Sequence, residues 1–573
     1  MSEELRRIAL KYALVNAIKH GGKANKKAVI GKIIAEKPEV RKVIKQLLEI
    51  VSDVVAYVNN LSLEEQKKIF DREFKEELIV TRKEAREELP PLPGVEDAIR
   101  KYGRITTRFA PAPTGAIHIG QFVRAAMLSY LYARKYKGRV ILRIEDTDPK
   151  KIKRIYYDWI IQDLKEAGFE WDELVIISDH FPRHYEVAEE LIRKGRAYVC
   201  TCSQEQFRLL KEQGVPCPCR SLSTKEHLRR WEGMLNGEYS EGEAVVRLRT
   251  DMAHPNPALR DPPLLRIIES VPHPRTGFKY RVYPLYNFAC AIEDHDSKVT
   301  HILRAKEHEH NAAIQGEIYR AMGWDPPIAI QYGMIYLEGF KVHKRYIREG
   351  LIKGELMGWD DIRLPTIRAL LRRGIQPEAL KKLAIHCSLT PHDIKLSMET
   401  LYTFNRQIID PVANRYYYVE DPMLLIVRNA PLPFYAKIRL HPNHPERGFK
   451  EYRFFKDPIR LYISRRDLGL FSAGSEIRLL GLFNIKPVRI DEDKIEAVFS
   501  SIELKKGIPK VHWVSEPYLH AVVLKPDGSV SRGYAEIYCQ HIKPGEIVQF
   551  ERYAFVRLEA NEGELLRFVF THE

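Results

Sequence analysis

The sequence predicts a multidomain α/β protein, with a helical N-terminal part, a parallel α/β centre split by an insertion, a helical connector and a β-rich C-terminal part. Three observations carry that prediction. Between Arg104 and Asp146 come the strand candidate "RITTRFA", a Pro/Gly loop, a helical run from about Ile119 to Tyr136 and the apolar strand "RVILRIED". That order is the pattern of a parallel α/β unit. Upstream, "ELPPLPG" (Glu88–Gly94) holds three prolines and cannot continue a helix, so it marks a boundary. Downstream of Tyr402 the texture is mostly β, with "MLLIV", "RLYIS" and "GEIVQFERYAFVRLE", and a "PDGS" turn between alternating runs signals a hairpin.

In chain order, residues 1–95 are expected to form a helical extension. Ile8, Tyr12, Val15 and Ile18 fall on one helical face there, and "RKVIKQLLEIVSDVVAYV" keeps the period. Segments 96–198 and 276–340 are the two halves of the α/β centre, around an insertion at 199–275 that carries four cysteines. A helical connecting domain follows at 341–402, and a β-barrel region at 403–573.

At 573 residues the chain has room for several cores. Its net charge of +15, from 92 Lys+Arg against 77 Asp+Glu, favours a polyanionic partner, nucleic acid foremost. The charged N-terminus is no signal peptide, and no apolar run reaches membrane-spanning length. Seven cysteines, four of them in one short segment, argue against a secreted disulfide framework. The expectation is a cytoplasmic protein without a membrane partner.

The stretch "RFAPAPTGAIHIGQ" (Arg108–Gln121) is built to hold something. Pro111 and Pro113 fix φ, Gly115 and Gly120 permit close backbone approach, and a helix begins just beyond. Ligands on open parallel sheets bind at the carboxyl ends of strands, beside helix N-termini that attract phosphates. His118 would face such a phosphate as a hydrogen-bond donor.

"PTGAIHIG" resembles the signature loop of class I aminoacyl-tRNA synthetases, with His118-Ile119-Gly120-Gln121 at the ATP-binding motif. Gln121 stands where the motif ends in His, a departure frequent in the glutamate branch. "RFAPAPTG" together with "LRIEDTDP" (Leu142–Pro149) is similar to the glutamyl- and glutaminyl-tRNA synthetase subgroup, and the helical extension and β-rich end resemble its archaeal and eukaryotic type. The resemblance implies a Rossmann-like catalytic domain and a C-terminal β-barrel region that reads the anticodon. It also implies ATP with Mg²⁺, L-glutamate and tRNA(Glu) as substrates, while the oligomeric state stays open with a monomer as the default. ATP would meet Pro113, Thr114, Gly115, His118, Gly120, Gln121 and Lys344, of which His118 and Lys344 are catalytic. Glutamate would meet Arg108, Ala110, Glu145, Tyr286 and Arg304, with arginines on the carboxylates and Glu145 on the ammonium group.

Arg304, in "THILRAKEHEH", chooses the branch, because glutamyl enzymes keep arginine there while glutaminyl enzymes carry a small uncharged residue. An unpaired buried guanidinium facing a neutral amide is costly. Glutamate is favoured. The plain alternative for Arg304 is an ion pair with Glu307 or Glu309. Asn287 stands where relatives often have Asp, and Cys290 where bacterial relatives have Asn. In "GFKVHKRYIREG" the basic signature loop aligns on Val342-His343-Lys344-Arg345, with His343 in place of the usual small hydroxyl residue and Lys341 as a partial substitute for Lys344. The pairs Cys200/Cys202 and Cys217/Cys219 suit a closed structural zinc site, against reduced unliganded cysteines in a hairpin. The tyrosines of "NRYYYVEDP" suit either base stacking or the β core. Glutaminyl-tRNA synthetase and a non-catalytic tRNA-binding paralogue are the alternatives, and charging of tRNA(Gln) as well stays open.

Overall fold

The computed structural model describes residues 2–19, 21–36, 40, 44–74, 88–340, 344–472 and 474–573. The chain divides into two compact units, Met1–Glu88 and Leu89–Glu573. In the first, the described helices are Ser2–Lys19, Lys26–Glu36, Ile44–Asn60 and Leu63–Glu73. The deepest stripe of its first helix is Leu5, Ala9, Ala13 and Ala17 at i+4 spacing, each at most 4% exposed. Ile8, Tyr12, Val15 and Ile18 are only half-buried beside it. Small side chains let neighbouring helices approach closely, so the buried face is displaced from the one that the large residues mark.

The second unit is built on parallel strands. β1 (Thr106–Phe109) pairs with β2 (Arg139–Ile144), and β2 with β3 (Glu173–Ile176), all in parallel. Much later in sequence, β8 (His301–Ala305) pairs in parallel with β9 (Ile328–Tyr332). The Thr300 N–H donates to the Thr106 carbonyl at 2.9 Å, and the Thr106 N–H to Thr300 Oγ1 at 2.9 Å. β1 therefore lies between β2 and β8, and the chain leaves the carboxyl ends of β1 and β8 in different directions. Such a switch point is where open α/β sheets bind ligands.

Between the two halves, β4 (Ala197–Cys200), β5 (Val245–Leu248), β6 (Pro263–Ile267) and β7 (Val282–Pro284) form an antiparallel sheet. Ser203 caps helix Gln204–Gln213 with a capping box, and Ser223 caps helix Thr224–Asn236. Beyond the second half come helices Lys344–Ile352, Ile367–Arg372, Pro377–Cys387 and Met398–Ile409.

The C-terminal strands form a six-stranded sheet, a seven-stranded sheet and a two-stranded one of Phe434–Arg439 with Phe449–Phe454. The hairpin signal is met by strands Tyr518–Leu524 and Val530–Glu536, closed over "PDGS" with Gly528 at φ +87°. Tyr416, Tyr417 and Tyr418 are core residues, at most 4% exposed. Lys450, fully buried, joins Glu536 of the hairpin at 2.6 Å and donates to the Arg415 carbonyl at 3.1 Å. Among the described residues no helix is long and apolar enough to cross a membrane.

Candidate active site

The loop after β1 is fastened along its length. The Pro111 carbonyl accepts the Glu145 N–H at 3.0 Å and the Pro113 carbonyl accepts the Lys153 N–H at 3.2 Å, so both proline peptides are tied to the chain after β2. On the other side, the Ile119 N–H reaches the Pro365 carbonyl at 2.9 Å and the Ile367 N–H reaches the Ile117 carbonyl at 2.8 Å. Gly115 sits at φ +143°, and the Trp359 indole occupies the place a Cβ would take. Only glycine fits there.

His118 caps the helix that follows. Its Nδ1 accepts the Gln121 N–H at 3.2 Å, which puts the ring's hydrogen on Nε2. A Cβ at Gly120 would stand 3.3 Å from that same Nδ1, so glycine makes room for the imidazole. The helix Ile119–Gln121 runs through a π segment, Phe122–Met127, before continuing as Leu128–Lys135. The π segment carries Arg124, which is 1% exposed and donates to the carbonyls of Cys387 at 3.1 Å and Gly333 at 3.0 Å. Such segments recur at functional sites, and a plain helical period does not announce one.

A cavity of about 500 Å³ opens at the carboxyl ends of β1 and β8. Its wall includes Arg108, Ala110, Thr114, His118, Gly120, Gln121, Glu145, Tyr286, Arg304 and Lys344. Of the residues singled out for ATP or glutamate, Pro113 and Gly115 are absent from the wall and shape the loop from behind. Arg124, Glu307, His308 and Tyr332 also line the cavity and were not singled out. Lys341, Val342 and His343 of the basic loop lie outside the described residues. Lys344 Nζ lies 3.4 Å from both Thr114 Oγ1 and the Gly115 carbonyl. Burial, with Arg348 nearby, pushes its ammonium group down to about 8.

A buried charge network runs inward from Arg108 and Glu145 of the cavity wall. Asp294 takes Arg108 Nε at 3.1 Å and one Arg143 terminal nitrogen at 2.6 Å on the same oxygen, and the other Arg143 nitrogen reaches Glu145 at 2.9 Å. Burial alone would raise the Asp294 carboxyl, but Arg108 and Arg143 together hold it below its usual value. For Glu145 burial outweighs the same two arginines and its carboxyl is raised. The Cys290 thiol, 3.1 Å from Arg143, is pushed up to about 12 by burial and then by Asp294, so it stays protonated. Arg143 in β2 and Glu145 just beyond its end stand at i, i+2, and Cys290 and Asp294 share one helix face at i, i+4. Those spacings were the available signal for the missed residues.

Arg304 is held differently. It is 5% exposed and donates to Gln315 Oε1 at 2.9 Å. Among the described residues no carboxylate oxygen comes within 4.0 Å of it, so the expected alternative of a pair with Glu307 or Glu309 is absent.

Three family patterns match this chain. The one described as "tRNA synthetases class I (E and Q), catalytic domain" covers residues 104–411. Two described as "tRNA synthetases class I (E and Q), anti-codon binding domain" cover 413–505 and 510–559. The chain belongs to the class I tRNA synthetases of the E and Q group. It is similar over 100% of both chains to proteins named glutamate–tRNA ligase: 49% identical to that of Pyrococcus abyssi and 47% to those of Pyrococcus furiosus and Thermococcus kodakarensis. The C-terminal sheets of this synthetase are thus its anticodon-binding domains, and β1 to β9 lie within its catalytic domain.

The four cysteines of the synthetase's insertion converge. The sulfurs of Cys200, Cys202, Cys217 and Cys219 all lie within 4.8 Å of one another. Cys200–Cys217 and Cys202–Cys219 are each 3.8 Å apart, and no disulfide joins them. A tetrahedron with zinc–sulfur bonds of about 2.3 Å has edges of about 3.8 Å. The donor set fits that metal. The Cys217 thiol is drawn down to about 5, chiefly by its hydrogen bond from Cys200, and Cys219 is lowered by donors from Thr201 and Arg230 that outweigh its burial.

Proposed function

We propose that this synthetase is a glutamate–tRNA ligase, joining L-glutamate to the 3′ end of tRNA(Glu) at the expense of ATP. The observation that carries the reading is Arg304: a buried guanidinium on the cavity wall, bound by a neutral amide, suits a side-chain carboxylate and not a carboxamide. Its full-length likeness to proteins of that name supports the same choice.

In the first step the α-carboxylate oxygen of glutamate bonds to the α-phosphorus of ATP, and the bond to the pyrophosphate oxygen breaks. Arg108 and Arg304 hold the two carboxylates, Glu145 faces the ammonium group, and Ala110 and Tyr286 bound the amino-acid pocket. Thr114, Gly120 and Gln121 border the nucleotide, with Pro113 and Gly115 setting the loop's shape. His118 donates from Nε2 to phosphate, and Lys344 meets the charge that grows on the leaving pyrophosphate. Mg²⁺ accompanies the triphosphate. In the second step the terminal ribose hydroxyl of tRNA attacks the carbonyl of glutamyl adenylate, and AMP leaves. These residues hold and orient the reactants and balance charge, which is where catalysis of such displacements resides. The segments 1–95, 96–198, 199–275, 276–340, 341–402 and 403–573 are our working division of the monomer.

Aminoacylation tests the reading. With ATP, Mg²⁺ and total archaeal tRNA present, radiolabelled glutamate is expected to be incorporated and glutamine not. Glutamine incorporation overturns it, and binding of tRNA with neither amino acid incorporated favours a non-catalytic protein. Sorting the charged tRNAs then tells whether tRNA(Gln) is also a substrate.

Cys200, Cys202, Cys217 and Cys219 would hold one structural zinc, whose bonds brace the small cluster that these cysteines form with Tyr198 and Phe207. Elemental analysis is expected to find one zinc per chain. Cys217→Ser should lose it and lower Tm by about 5 °C or more. A zinc-free chain with unchanged melting refutes the site.

A further inference from the structure

The amide that holds Arg304 is the first link of a chain of side chains with a fixed direction. Gln315, 3% exposed, accepts from Arg304 at 2.9 Å and donates through Nε2 to Asn287 Oδ1 at 3.2 Å. Asn287 Nδ2 donates to Asn311 Oδ1 at 3.0 Å, and Asn311 Nδ2 faces His308 Nδ1 at 3.1 Å. Amide oxygen and nitrogen are easily exchanged in a structure, but arginine can only donate. Arg304 therefore forces the Gln315 oxygen toward itself, and every later link follows. At the far end His308 must accept at Nδ1, which leaves its hydrogen on Nε2, the side that faces Glu307 at 3.8 Å. Burial foremost, and then Arg304 and Arg108, keep His308 below its usual value, in keeping with a neutral ring.

Arg108 and Arg143 differ from Arg304 in one respect. Asp294 binds both of them directly. Among the described residues Arg304 Nε is buried with no hydrogen-bond partner, and the cation is anchored by its donation to the neutral Gln315 amide. Gln315 and Asn311 stand at i, i+4 on helix Glu309–Met322, and Asn287 follows Tyr286 on the facing helix Tyr286–Asp296. Two helices, one of which gives Tyr286 to the cavity wall, thus supply amides where carboxylates would have neutralised the guanidinium.

We propose that Gln315, oriented by Asn287, Asn311 and His308, is a specificity-determining positioning residue: it fixes Arg304 without cancelling its charge, and so reserves that charge for the substrate's side-chain carboxylate. The proposal rests on the reading of this site as glutamate-binding. It predicts that charge at position 315 matters more than the loss of the bond.

The test is tRNA-dependent ATP–pyrophosphate exchange with glutamate and with glutamine as the varied substrate, alongside melting curves. Gln315→Glu sets a carboxylate against Arg304. It is expected to raise KM for glutamate at least tenfold with little change in KM for ATP, and to narrow the glutamate-over-glutamine preference by a similar factor. Gln315→Met drops the bond but leaves the charge, and should cost less and keep the preference. Equal effects of the two variants, or an unchanged preference in Gln315→Glu, overturn the proposal. If Gln315→Glu does not fold, Asn287→Asp places a negative charge one link further away and must shift the preference in the same direction, and no shift overturns the proposal. A wild-type enzyme that uses glutamine and not glutamate would overturn the functional reading itself, and that outcome is visible before any variant is made.

Discussion

Replacing Lys344 by alanine is expected to slow glutamate activation by about two to three orders of magnitude, with tRNA affinity nearly unchanged. Its Nζ lies against Thr114 Oγ1 and the Gly115 carbonyl, on the loop that ends in His118. A fixed cation there stabilises charge that appears only as pyrophosphate departs, and removing one such preorganised group typically costs about 10²–10³ in rate. The pH dependence checks the assignment separately. Burial and Arg348 hold the ammonium group at about 8, so it is charged below that pH and neutral above it. kcat/KM for ATP, which reports the free enzyme, should fall as pH rises through about 8. Lys344→Arg stays protonated and should remove that alkaline limb, whatever it does to the plateau. Equal activation rates in wild type and Lys344→Ala would refute the role, and a limb retained in Lys344→Arg would assign the titration to another group.

Arg304→Cys should be as severe, but confined to the amino acid. Leaving one partner of a buried charge pair alone costs about 3–5 kcal/mol. At about 1.4 kcal/mol per factor of ten, kcat/KM for glutamate should fall by two orders of magnitude or more. The loss is expected only when glutamate is the varied substrate, since Arg304 belongs to β8 and the residues proposed to meet the nucleotide belong to the loop after β1 and to helix Lys344–Ile352. Glutamine, with no carboxylate to lose, should be discriminated against less. Unchanged glutamate kinetics would remove the ground for choosing glutamate. Because Arg304 has no carboxylate partner among the described residues, the variant leaves no protein anion unpaired, and its melting temperature should stay close to wild type.

How far the site was legible follows from the reach of each signal. Pro111, Pro113, Gly115, His118 and Gly120 lie within ten residues, and the backbone constraints they impose are local, so the loop could be read as a ligand cradle from its residue types. Arg143 beside Glu145 was readable in principle, since the two stand at i, i+2, yet nothing local marked Asp294 as their common counter-charge. That partner is 151 residues away from Arg143 and 186 from Arg108. The π segment at Phe122–Met127 escaped for another reason: one wider turn barely disturbs the apolar period of a helix whose two ends are ordinary. On the first helix, Ile8, Tyr12, Val15 and Ile18 drew attention by size, whereas the packed stripe is the one whose alanines let a neighbour come close.

By itself the sequence determined the order of helical, α/β and β-rich parts, the backbone restriction of the loop after β1, and the cysteine spacing that suits a metal. Each is encoded in residues a few positions apart, where φ restriction, side-chain period and ligand reach act directly. The tertiary structure alone decided which buried arginines meet a carboxylate and which meets a neutral amide. Asp294 closes on Arg108 and Arg143 while Gln315 closes on Arg304, because sheet order brings β8 beside β1 and two helices from the second half carry Asp294 and Gln315 to these arginines. In a buried site the free energy of a cation is set by its nearest partner, and that partner is chosen by packing between segments far apart in the chain.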